Sequence, residues 1–379
     1  MKTIKTFLKA GIILGFVLIG HQASAATTAS LEVSGWIPYW RTATGTAEAL
    51  GNLDTLTEIN PFGYTVKTNG QLFDAALIGE EPWTTLIKEA HDKGVRVIPT
   101  IMWGNPDAIH AVLSNKILRD AQINDIVNLV YSKGFDGIDI DYEAKYAKTK
   151  DYYSIFLRDL YKAMGKKWVM CEVESRTPVT SRYDTVPADY DPNDVANDYV
   201  EINKYCDRVR IMAYDQARVD LSLDRANPGL YAPVSDSRWV EKLVNLAAET
   251  IDKKKLVIGI PTYGYEYIVS PGGVGGYSYV SDGALNPIYA TDIAKALNIT
   301  PTRTTSGELS LLYYPTATST PVNGVRTDIQ SNLLVWSDAE SIKDKVELAT
   351  KLGVRGVALF KLDGGADPKM WDVLKEAKL

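Results

Sequence analysis

The sequence predicts an α/β chain folded as a (β/α)8 TIM barrel, with a small α+β unit inserted after the seventh strand. Three observations predict it. From Leu31 onward, short apolar runs alternate with amphipathic stretches, the pattern of parallel strands joined by helical crossovers. The fourth run, Phe135 to Glu143, sets acids and apolar residues in strict alternation. Over residues 266–334 the rhythm breaks into Gly, Thr and Pro with short β-like pieces such as Leu309–Tyr314.

Each element follows from local signals. The first strand, Val33–Trp40, ends Gly-Trp-Ile-Pro-Tyr-Trp, too aromatic for a surface loop. A helix over Thr46–Leu56 leads to the second strand, Glu58–Val66. The helix Trp83–Lys93, stopped by Gly94, precedes the strand Val95–Trp103. Another, Arg119–Lys133, ends at Gly134 and delivers the acidic strand. Then come the helix Tyr152–Met164, the strand Trp168–Glu174, a long connection, and a helix near Ala196–Tyr205. The sixth strand is Arg208–Tyr214 and the seventh Leu256–Thr262, with the helix Trp239–Asp252 between them. After the inserted unit, the helix Ala339–Leu352, the strand Val354–Leu362 and the tail helix Lys369–Ala377 complete eight pairs. The alternative, an open doubly wound sheet, calls for a Gly-rich phosphate turn after the first strand. The Gly-rich stretch here, Gly272–Gly276, lies in the insertion and lacks a following Lys-Ser/Thr.

At 379 residues and 45% apolar content, the chain suits one barrel plus an insertion. Residues 1–25 read as a secretory leader: Lys2, Lys5 and Lys9, the apolar run Ala10 to Gly20, and Ala23-Ser24-Ala25 for cleavage. That run is too short to span a bilayer. Loss of the three leader lysines leaves 38 basic against 47 acidic residues, a balance of −9. This disfavours nucleic acid and anionic membranes as partners and suits a neutral polymer. The expected protein is exported, soluble and monomeric. Cys171 and Cys206 are the only cysteines, so there is neither a disulfide scaffold nor a zinc set; their apolar settings favour two buried thiols over one bridge. No metal or cofactor is expected, and His91 and His110 are read as having no chemical role.

In a strand, side chains alternate between faces. Asp139, Asp141 and Glu143 therefore share one face, about 6.5–7 Å apart at ~3.3 Å per residue. Ile138, Ile140 and Tyr142 take the other. Buried carboxylates are costly without partners or purpose. In a barrel, Asp139 would lie deepest, Asp141 higher, and Glu143 at the mouth, where barrel enzymes keep their sites. Asp136 has the wrong parity and is read as structural. An EF-hand loop, the other use of such acids, needs polar residues between them.

The run Asp136-x-x-Asp139-x-Asp141-x-Glu143 resembles the signature of glycoside hydrolase family 18. Met212-Ala-Tyr-Asp215, Ile260-Pro-Thr-Tyr-Gly264 and the last repeat, Gly356 to Asp363, extend the resemblance over the mature chain. It implies substrate-assisted hydrolysis, in which the substrate's own acetamido group attacks the anomeric carbon. Glu143 would then protonate the glycosidic oxygen, Asp141 stabilise the intermediate, and Asp139 share a proton with Asp141. Tyr214 would donate to the acetamido carbonyl, Asp215 bind the sugar, and Met212 pack beneath. Trp36, Trp40, Phe62, Tyr64, Trp103 and Phe360 are the candidate stacking rings.

Three positions depart from the family pattern. Pro99-Thr-Ile-Met-Trp103 replaces a Ser-x-Gly-Gly, Phe360 stands in place of a Trp, and Arg210 replaces a common Asn. Arg210 should point inward and pair with Glu172, since a lone buried Arg is expensive. The implied substrate is an N-acetylglucosamine polymer, chitin or its oligomers. Peptidoglycan lysis, or sugar binding without catalysis, are the alternatives.

Overall fold

Parallel strands buried on both faces need helices to cover them, and here the strands close into a ring with the helices outside. The structure, a computed structural model, describes residues 30–272, 276–315 and 331–378. The expected leader, 1–25, lies outside the described residues. Eight parallel strands form the ring: β1 (Glu32–Pro38), β2 (Glu58–Val66), β3 (Thr100–Trp103), β4 (Gly137–Tyr142), β5 (Trp168–Val173), β6 (Arg208–Ile211), β7 (Leu256–Pro261) and β8 (Gly356–Phe360). β8 pairs with β7 and β1, and the β1–β2 pairing closes the barrel. Around it lie α1 (Thr42–Gly51), α2 (Trp83–Asp92), α3 (Lys116–Lys133), α4 (Lys150–Met164), α5 (Tyr199–Tyr205), α6 (Ser237–Ala248), α7 (Ala339–Leu352) and α8 (Met370–Lys378). Gly137 opens β4 because a Cβ there would meet the Trp168 carbonyl oxygen at 2.3 Å.

The outward residues of the strands, such as Ile138, Ile140 and Tyr142 of β4, pack against the helices in one apolar layer. The inward set is unlike the usual aliphatic barrel filling. It includes Glu58, Asn60, Thr100, Asp139, Asp141, Glu172 and Arg210, all buried. At the bottom, Glu32 takes a two-pronged contact from Arg208 at 2.7 and 2.8 Å and another from Arg355 at 2.9 Å. The Arg96 and Arg208 guanidinium groups lie 4.7 and 5.0 Å from the Trp168 ring centre.

Between residues 264 and 336 the chain leaves the barrel to build a second, antiparallel sheet. Its central strands are Gly264–Pro271 and Ser331–Trp336, flanked by Tyr277–Leu285 and Leu309–Tyr313. The helix Pro287–Leu297 covers one face through Ala290, Ala294 and Trp336. The other face carries Tyr263, Tyr267, Leu333 and Val335, against which Phe360 packs.

One expectation is corrected. Cys171 and Cys206 are not free thiols but a disulfide, with Cα atoms 5.9 Å apart. The outward parity of Cys171 on β5 points it at the end of α5, where Cys206 caps the helix. The bridge thus ties together a single strand–helix unit, β5 and α5.

Two stability predictions follow. Burial alone would raise the Glu32 carboxyl, yet hydrogen bonds from Arg208 and Arg355 and the nearby charges hold it at about 2. A carboxylate depressed from 4.5 stabilises the fold above that pH and ceases to do so as pH falls toward 2. Glu32→Gln should therefore cost about 1–3 kcal/mol at neutral pH, allowing for solvent screening. In urea melts the difference from wild type should close between pH 4.5 and 2. For the bridge, cutting a 35-residue crosslink by Cys171→Ser should cost ~3–4 kcal/mol. Reductant should lower the melting temperature of the wild type and leave that variant unchanged.

Candidate active site

The acidic row is built from the bottom upward. Asp139 is fully buried, and its Oδ2 accepts from Trp36 Nε1 at 3.0 Å and Thr100 Oγ1 at 2.7 Å. Arg210 Nη1 stands 2.8 Å from the same oxygen. Thr100 thus supplies a hydroxyl to the row from the strand where the Ser-x-Gly-Gly is missing. The same guanidinium contacts Glu58 closely, donates to Asn60 Oδ1 at 3.2 Å, and reaches Glu172 Oε1 at 3.5 Å. The expected Arg210–Glu172 pair is present, but as the longest contact of a larger cluster.

The carboxyl beside Asp139 and Arg210 is Glu172: β5 sets it level with Asp139, as the register partner of Arg210. Burial, and then the Asp139 charge, push the Glu172 carboxyl well above the usual carboxylate range.

Asp141 belongs with Glu143 instead. Burial, then the charges of Glu143 and Asp139, raise Asp141 strongly. Glu143 is half-buried and also raised, first by burial and next by the charge of Glu174. Two neighbouring carboxyls at the mouth of the barrel therefore both resist losing their protons.

Tyr214 and Asp215 follow β6 on the same rim. The Tyr214 ring stacks on Phe360 with centres 5.2 Å apart and planes 15° from parallel. Burial raises its hydroxyl, as do the charges of Glu172, Asp141, Asp215 and Glu143, so it stays a donor. Asp215 is exposed, sits at φ +57°, and accepts from Tyr265 Oη at 2.8 Å and from Tyr263 Oη. Met212 is half-buried two residues beyond Arg210.

Trp36, Phe62 and Phe360 share the upper barrel interior with Met102, Val257 and Ala358. Phe360 lies 5.9 Å from Trp36 and 6.2 Å from Phe62, and Phe62 meets Trp40 at 5.8 Å. Trp40, 49% exposed, forms the outer end of this run of rings. Tyr64 and Trp103 do not join it. The register of β2 slips between Phe62 and Tyr64, which turns Tyr64 outward onto Phe135. Trp103 has outward parity and packs edge-on to Tyr142 at 5.3 Å. Both are buried in the layer beneath the helices.

Sequence reasoning missed several contributors. Glu58 and Asn60 alternate along β2 in step with the expected Phe62, a readable inward signal. The anchoring of Asp215 by Tyr263 and Tyr265 had none, because those tyrosines stand some 50 residues away in sequence. Among the described residues, no group of His, Cys, Asp and Glu is arranged to hold a metal ion.

A closed barrel with paired carboxyls at its C-terminal rim, walled by aromatic rings, is the layout of a glycoside hydrolase. The chain belongs to the glycosyl hydrolases family 18, whose family model matches residues 34–365. It is 25% identical over 337 residues to the glycosylase YvbX of Bacillus subtilis, covering 85% of this chain and 87% of that one. Its fold is similar to that of the spore cortex-lytic enzyme SleL of Bacillus megaterium, with a TM-score of 0.69, 20% identity, and coverage of 92% and 74%. It is likewise similar to a family 18 chitinase of Cycas revoluta solved with (GlcNAc)3, with a TM-score of 0.69, 16% identity, and coverage of 91% and 99%.

Arg210→Met should leave buried carboxyls without their cation, at a cost of about 3–5 kcal/mol near neutral pH. Denaturant unfolding at several pH values should show the deficit shrinking in acid, as those carboxyls take up protons.

Proposed function

We propose that this hydrolase cleaves β-1,4 linkages beside N-acetylglucosamine, in chitin or its oligomers, by substrate-assisted catalysis with retention. The observation that carries the reading is the inward row Asp139, Asp141 and Glu143 rising to the barrel mouth, its upper two carboxyls raised by burial and within electrostatic reach of the Tyr214 hydroxyl. Glu143, raised by burial, gives its proton to the glycosidic oxygen as the bond to the anomeric carbon breaks. The substrate's acetamido oxygen attacks that carbon, forming an oxazolinium ion. Asp141 hydrogen-bonds the acetamido N–H and offsets the positive charge, while Tyr214 donates to the acetamido oxygen. Glu143, now ionised, takes a proton from the water that opens the ring. Asp215, held by two tyrosine hydroxyls, accepts from a sugar hydroxyl, and Met212 packs beneath. Phe360 floors the site, with Trp36, Phe62 and Trp40 continuing the groove toward solvent.

Peptidoglycan is the second candidate substrate, supported by the likeness to a spore cortex-lytic enzyme. We also propose that the protein is exported. The leader-like residues 1–25 and the Cys171–Cys206 bridge, which suits an oxidising compartment, support this.

The test is product analysis on chitin oligomers beside purified peptidoglycan, with products carrying N-acetylglucosamine at the new reducing end expected. Glu143→Gln should lower kcat at least 10²–10⁴-fold, the usual range for a general acid, with oligomer binding largely intact. A wild-type protein that binds oligomers and cleaves neither polymer would make it a sugar-binding protein instead.

A further inference from the structure

The backbone turns sharply after Glu143. Ala144 sits at φ +53°, a left-handed conformation that a residue with a Cβ keeps only where its surroundings impose it. Glu174, just beyond β5, imposes it: its Oε1 accepts from Ala144 N at 3.1 Å, and its Oε2 from Asn197 Nδ2 at 2.6 Å. The next side chain, Lys145, is wholly buried and 3.7 Å from Glu174 Oε1. It donates to the Tyr142 carbonyl oxygen and lies 4.7 Å from the centre of the Tyr153 ring. An anion and a cation thus grip the residues on either side of Glu143. A buried lysine is expensive to keep charged, and a surface turn does not need one.

We propose that Glu174 and Lys145 are positioning residues for Glu143, fixing the turn that aims its carboxyl and setting the balance of charge it faces. The proposal rests on the reading of Glu143 as proton donor. The groups facing Glu143 are Asp141 from its own strand, Glu174 from the end of β5, Lys145 from the following turn, and Asp215 after β6. The neutral Tyr214 hydroxyl stands within the same field. After burial, Glu174 does most to hold the proton on Glu143, and Lys145 does most to loosen it. The two therefore act in opposite directions on one carboxyl, which a merely structural clamp does not do.

Two variants that keep shape and remove charge separate these roles. Glu174→Gln retains a carbonyl oxygen for Ala144 N, and Lys145→Met retains the buried stem. kcat/KM is measured against pH on whichever of the two polymers the wild type cleaves. The basic limb, where the donor loses its proton, should move about 0.5–1 pH unit lower in Glu174→Gln and a similar amount higher in Lys145→Met. In the double variant it should return near the wild-type position. Limbs that stay in place, or that move together while both melting temperatures fall, overturn the proposal. If Lys145→Met does not fold, an unmoved limb in Glu174→Gln is sufficient to overturn it. Turnover that survives Glu143→Gln defeats the functional reading and this one with it. An inactive Glu143→Gln alongside unmoved limbs defeats this one alone.

Discussion

Arg210 is the group on which the inside of this barrel depends. Three carboxyls, Glu58, Asp139 and Glu172, converge on one guanidinium that water does not reach. Without that cation, closing the ring around them would cost several kcal/mol per ion. The guanidinium suits the position because its planar fork serves several oxygens at once, and its face lies 5.3 Å from the Trp36 ring centre. The indole N–H of that ring donates to Asp139. Fold and site are therefore joined at one point: the residues that neutralise the core also fix the lowest acid of the row.

From that base the protonation of the row follows upward. Burial and the charge of Asp139, itself paired with Arg210, push the Glu172 carboxyl well above the usual range. Asp141 then sits above a compensated layer, with burial and the charge of Glu143 holding its proton. An aliphatic barrel interior could not arrange this, because it offers nothing to satisfy Asp139.

Strand parity made much of this legible before any coordinates. It placed Asp139 and Asp141 inside the barrel, turned Arg210 toward Glu172, and separated both from the outward isoleucines. The same rule, left unapplied to Trp103, would have set it beside Tyr142 and outside the groove. Tyr64 was not recoverable this way, because a register slip at Gly63 reverses its face without a mark in the alternation. The disulfide depends on how α5 packs back on β5, and the tyrosines that hold Asp215 on β7 and the start of the inserted sheet lying beside the end of β6. Those are long-range facts that no local pattern encodes.

The inserted sheet is more than a decoration on the barrel. Tyr263 leaves β7 and packs on Phe360 at 6.0 Å, and Tyr265 begins the second sheet at 5.8 Å from Tyr263. Both hydroxyls converge on Asp215, whose left-handed backbone is a costly conformation for a residue with a side chain. The sheet therefore supplies the contacts that keep Asp215 in place, while Phe360, between Tyr214 and Tyr263, couples its aromatic face to the barrel interior. A smaller ring than the family's tryptophan at 360 fits this setting, because neighbouring rings already occupy several of its sides. The groove's aromatic character is accordingly spread over the barrel and the insertion instead of resting on one large platform.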